Sequence, residues 1–168
     1  LIPGGVIPGL EFAGRVIAVG GGESQPAFPL GLRVLGFTRF GGFADHVTVP
    51  VDFVRPVPEG WSPEEAASFL VQGLTAWHAL NVLGDLEARC ARAALMDSEG
   101  KAEGKGAAPP VVLVHSAAGG VGLAALEICE KLGAIAVGTV GSPAKADWLA
   151  EHGALERDRI VVRPARGG

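Results

Sequence analysis

The chain contains no tyrosine, one methionine and two cysteines. A phenolic proton donor is therefore not available from these residues. Cys90 and Cys129 lie far apart, which gives neither a disulfide framework nor metal-ligand spacing and fits a reducing compartment. Positive charge is also scarce: 14 Lys and Arg stand against 18 Asp and Glu, a formal net charge of −4. A nucleic-acid footprint is normally basic, so nucleic-acid binding is not expected. No run approaches the roughly 18 apolar residues of a membrane span. No charged n-region followed by an apolar core opens the chain, so no secretory signal is visible. A cytoplasmic protein is expected, with organellar import left open because the first residue is Leu1. That start, and an end (RIVVRPARGG) that reads as a strand opening a new unit, lead us to expect an internal fragment.

What is present is apolar. The 168 residues are 48% hydrophobic and 19% charged, enough to bury a real core in one domain or parts of two. Residues 1–60 are rich in glycine and proline, with short β-type runs. GRVIAVG (14–20), LRVLGF (32–37) and FADHVTVP (43–50) read as strands of a small barrel or sandwich. The texture changes at SPEE, where Ser62 reads as an N-cap, Pro63 as the first helical residue and Glu65 as a capping-box partner. Two helices are predicted next, AASFL and LTAWHALNVL, parted by Gly73. LEARCARAALM is compatible with helix. DSEGKAEGKGAAPP reads as a mobile, low-complexity loop.

From Val111 the pattern becomes β-α-β-α-β. VVLV is a short continuous apolar run, as in buried parallel strands. VGLAALEICEKLG places Val121, Ala125, Ile128 and Leu132 on one helical face, with Gly133 as the stop. AIAVGTV predicts the second strand, SPAKADWLAEHG a second helix and RIVV a third strand. This is the first half of a doubly wound parallel sheet.

The first strand–helix junction reads Ala117, Ala118, Gly119, Gly120, Val121, Gly122. In a G-x-G-x-x-G fingerprint, glycines let the backbone approach a pyrophosphate and let the helix pack on the strand, while the helix N-terminus offers free N–H groups. Alanine replaces the first glycine here, a mild change if φ stays negative. A strand–helix turn without a ligand is the plain alternative. An NAD-type site wants Asp or Glu after the second strand, for the ribose 2′-OH. Here GTVGSPAK offers Gly141, Ser142 and Lys145 instead, which suits a 2′-phosphate and favours NADP(H). Ser142 also reads as a simple N-cap and Lys145 as a solvated lysine.

PGLEFAGRVIAVG, GGFADHVTVP, EEAASFLVQGLTAWHAL, VHSAAGGVGLAALEICEKLGA and GTVGSPAK occur in the order seen in medium-chain dehydrogenases/reductases. The sequence resembles the zinc-independent quinone oxidoreductase branch, including vesicle amine transport protein-like members, over nearly all residues except 85–110. The resemblance implies an α/β chain: a partial GroES-like β-barrel substrate domain with linking helices over 1–80, a variable insertion over 81–110, and the first half of a Rossmann sheet, a truncated NADP-binding domain, over 111–168.

Zinc-dependent relatives carry Gly-His-Glu, where this chain has Gly9, Leu10 and Glu11. Leucine cannot ligate zinc, and the four-cysteine zinc lobe is absent, so no metal site is expected. Hydride delivery to a quinone or an α,β-unsaturated carbonyl is then implied, the protein supplying mainly position. By resemblance Thr75, with Gln72 near the same pocket, lies close to the nicotinamide. For Thr75 a plain helix-start role stays open, and for Gln72 so does a plain structural one. His115 reads as a packing or hydrogen-bonding residue rather than a catalyst. Two alternatives remain open: an enoyl-thioester reductase, free or in a synthase module, and a catalytically silent nucleotide-binding regulatory protein. A homodimer is expected for the full-length protein.

Overall fold

The computed structural model describes residues 5–20, 28–98 and 108–164. The chain divides into two compact units, Leu1–Val71 and Gln72–Gly168.

The first unit is built on an antiparallel sheet of β1 (Glu11–Arg15), β2 (Arg33–Phe37) and β3 (Val54–Pro56), in that order. Val34, Leu35 and Val54 are buried in it. Gly36 is small because Phe12 of β1 packs over it: an added Cβ would stand 2.5 Å from the Phe12 ring. The run 32–37 is a strand as expected. GRVIAVG is a strand only at its start: β1 ends at Arg15, and among the described residues only Val16 continues the pairing, donating to Leu32 and accepting from Gly31. FADHVTVP also forms no strand. The amides of Gly41, Gly42 and Phe43 instead donate to the carbonyls of Ile7, Gly9 and Pro8. Alternation makes a segment able to pair, but a strand needs a partner ladder, and among the described residues 44–50 have none.

Helix α1 (Pro63–Trp77) begins with the reciprocal capping box that SPEE suggests. The Glu65 amide donates to Ser62 Oγ at 3.1 Å, and the Ser62 amide donates to Glu65 Oε2 at 2.8 Å. Ser62→Ala is expected to cost about 1 kcal/mol of stability, read as a lower urea midpoint; an unchanged midpoint would remove the cap from the account. The helix runs through Gly73 rather than stopping there. Gly73 is buried, so packing outweighs the roughly 1 kcal/mol propensity cost of a helical glycine. The backbone then widens into a π-helical segment, His78–Leu83, where one continuous α-helix is predicted.

In the second unit, α2 (Leu86–Ser98) realises the helical reading of LEARCARAALM. Residues 99–107 of the expected loop lie outside the described set. Three strands, β4 (Val111–His115), β5 (Ile135–Val140) and β6 (Ile160–Val162), form a parallel sheet in that order. They are joined by α3 (Gly120–Leu132) and α4 (Pro143–Glu151). Helix α3 ends where Gly133 turns left-handed at φ 75°, its N–H donating to the Cys129 and Glu130 carbonyls, a conformation that suits glycine. The core joins Leu86 and Cys90 of α2, Ala125, Leu126 and Cys129 of α3, Val114 and Val140 of the sheet, and Leu149 of α4. The buried face of α3 carries Gly122, Ala125, Leu126 and Cys129. The expected face is therefore turned by about one residue, and Val121 is 42% exposed. Burial, and then the neighbouring Cys90, push the Cys129 thiol up, so it stays protonated.

Candidate functional site

The site is assembled at the C-terminal ends of β4 and β5. In parallel α/β sheets that end faces the N-termini of the following helices. Strand β4 finishes at His115, and Ser116 then adopts φ 54°. A non-glycine residue there costs roughly 1–2 kcal/mol, so the surroundings must hold it. The Ala117 amide donates to the Thr139 carbonyl at 3.0 Å, and the Gly119 amide donates to the Ser116 carbonyl at 2.8 Å. The left-handed turn thus belongs to Ser116, not to the alanine in the first glycine position. Ala117 is fully buried. Its methyl fits because β5 presents Gly138 to it: a Cβ on Gly138 would lie 2.8 Å from the Ala117 Cβ.

The three glycines of the loop face different neighbours. Around Gly119 an added Cβ would meet only the Ser116 carbonyl oxygen, at 3.3 Å. Gly122 has no such room: an added Cβ would meet Ser116 O at 2.5 Å and the Ala117 Cα and O at 2.7 Å. At Gly120 a Cβ would overlap the carboxamide of Gln72. Gly119 is the N-cap of α3, and no side chain caps it. The N–H groups of the first helical turn are therefore not taken by a cap, and with the helix dipole they favour an anion. The donor set and the bare glycine surface fit a dinucleotide pyrophosphate.

The end of β5 leads through Gly141 into α4. Ser142 is its N-cap, but the Ser142 hydroxyl makes no capping hydrogen bond, and Pro143 occupies the first turn. Lys145 is exposed in that turn. Arg163, just past β6, was not singled out from the sequence. Its amide donates to the Val140 carbonyl at 2.8 Å, and its Nη2 would lie 3.6 Å from a Cβ on Gly141. Parallel pairing of β5 with β6 creates this approach across more than twenty residues of sequence, so no local signal marks it. The structure places Gly141, Ser142 and Lys145 along the start of α4, sets Arg163 beside Gly141, and sets Gln72 against Gly120. Thr75 lies three residues beyond Gln72 on α1 and is exposed.

Among the described residues, no group of three or more His, Cys, Asp or Glu is placed to hold a metal ion, and no helix is long and apolar enough to cross a membrane. Leu10, at the matching position of the zinc-ligand histidine, is about half exposed and accepts the Thr38 amide through its carbonyl.

No family model matches the chain. Similarity to individual proteins is extensive. The chain is 37% identical over 158 residues to a phenolphthiocerol/phthiocerol polyketide synthase of Mycobacterium tuberculosis, covering 89% of this chain and 6% of that one. It is 37% identical over 148 residues to the human synaptic vesicle membrane protein VAT-1 homolog, covering 88% of this chain and 32% of that one. Escherichia coli quinone oxidoreductase, in a crystal structure complexed with NADPH, superposes with a TM-score of 0.66 at 27% identity, over 96% of this chain and 42% of that one. The chain thus spans a third or less of the length of these two curated relatives. Over the residues compared, these matches are consistent with a zinc-independent medium-chain dehydrogenase/reductase family of quinone oxidoreductase-like proteins.

Proposed function

We propose that this chain carries the NADP(H)-binding half of an oxidoreductase that transfers hydride to a quinone or an α,β-unsaturated carbonyl without zinc. The observation that carries the reading is the uncapped, glycine-lined N-terminus of α3, held against β4 by Gly122. The NADPH in the quinone oxidoreductase structure supports it. In this reading Ala117, Ala118, Gly119, Gly120, Val121 and Gly122 line the pyrophosphate. Gly141, Ser142 and Lys145, with Arg163, meet the 2′-phosphate: a free hydroxyl and two cations suit a dianion better than a ribose hydroxyl. The cofactor supplies the hydride; the residues supply position and exclude water. Gln72, set over Gly120, and Thr75 orient the cofactor from α1. Residues 1–80 form the substrate side, 81–110 an insertion and 111–168 the cofactor side of a cytoplasmic homodimer.

Lys145→Ala should weaken NADPH by about 1–3 kcal/mol, the scale of a charged hydrogen bond, and leave NADH unchanged. Titration of both cofactors by calorimetry reads this directly. Equal losses for the two would show that Lys145 does not read the 2′-phosphate. Activity is tested by following NADPH oxidation with quinones, enals and enoyl thioesters. The polyketide synthase relative favours a second reading, reduction of an enoyl thioester within a synthase module; turnover of the thioester alone would select it. Tight NADPH binding without turnover of any of the three would select a silent nucleotide-binding protein.

A further inference from the structure

His115 and Thr139 are partners in the register of β4 and β5, the last pair before the loop. Their side chains also meet, His115 Nδ1 to Thr139 Oγ1 at 3.2 Å. Thr139 is the buried polar residue of the described core. Among the described residues its hydroxyl has this one hydrogen-bond partner, while its carbonyl accepts the Ala117 amide. Thr139 therefore grips the chain on both sides of the left-handed Ser116, through His115 before it and Ala117 after it.

We propose that His115 and Thr139 are positioning residues for the phosphate loop. Their contact fixes the Ser116 turn and, through it, the direction of the α3 N–H groups. The tautomer follows from the burial. A buried hydroxyl that kept its hydrogen unbonded would carry a desolvation penalty, and the acceptor within reach is Nδ1. The Thr139 hydroxyl donates, His115 accepts, and the ring proton sits on Nε2. His115 is exposed as a residue, so the ring can be changed without opening the core.

This proposal rests on the reading that the loop holds a dinucleotide, but it is testable without one. In the ligand-free protein, long-range ¹H–¹⁵N spectra should show His115 Nδ1 as the unprotonated, accepting nitrogen. A proton on Nδ1 would overturn the assignment. Thr139→Val should shift the amide resonances of Ala117 to Gly122, and Thr139→Ser should restore them. His115→Phe should produce the same shifts if Thr139→Val fails to fold. Loop amides unmoved in His115→Phe would overturn the proposal. In binding, Thr139→Val should raise the Kd of NADPH and NADH alike by about tenfold, the loss of one hydrogen bond, with Thr139→Ser recovering both. A loss confined to NADPH would contradict an action through the pyrophosphate. Failure of the wild-type protein to bind either cofactor would sink the dinucleotide reading, while the ligand-free spectra still decide the contact.

Discussion

Gly122→Val should abolish dinucleotide binding. The first side-chain atom alone is enough to force a change. A Cβ at this position meets the backbone of Ser116 and Ala117 at 2.5–2.7 Å, and neither is the movable end of a flexible side chain. Helix α3 must back away from β4, and its N–H groups leave the place where the loop presents them. Overpacking of this kind costs about 1–3 kcal/mol in stability, so the variant should still fold, with a lower melting temperature. Gly119→Ala is the matched control. Its Cβ has a single, tight neighbour, the Ser116 carbonyl oxygen at 3.3 Å, so its effect on stability should be smaller than that of Gly122→Val. Titration of NADPH by fluorescence checks the prediction. Wild-type affinity in Gly122→Val would remove the phosphate-loop assignment.

Leu149→Ala should give the largest loss of stability, about 2–5 kcal/mol. Leu149 is fully buried and fixes α4 against the parallel sheet. Truncation leaves a cavity that the rest of the buried cluster fills only partly. Urea unfolding should show a lower midpoint at nearly constant slope. The preference for NADPH over NADH should survive in the folded fraction, because Ser142 and Lys145 lie at the helix start and not in the core. A loss under about 1 kcal/mol would mean that Leu149 does not seat the helix.

The second unit is largely legible in the sequence, because its signals are local. Apolar runs of strand length, Ser142 and Pro143 at a helix start and Gly133 at a helix end each report a single element. The register of amphipathic faces is less legible. Gly122 counts as buried in α3 because the Ser116–Ala117 turn approaches it, yet a glycine adds nothing to an apolar pattern, so the pattern points to Val121 instead. The first unit is harder to read. Strand pairing is non-local, and FADHVTVP has the alternation of a strand without a described partner. In the site, the loop residues are found by motif. Arg163 and the His115–Thr139 contact are not, because each depends on which strand lies beside β5 and in which register.

The space between Ala117 and Gly138 holds one methyl group. The two positions, in different elements, are therefore sterically coupled: alanine at 138 would put a second methyl 2.8 Å from the Ala117 methyl and 2.8 Å from Leu155 Cδ2. Glycine at 117 would relieve the first of these contacts and leave the second, so the two exchanges do not cancel.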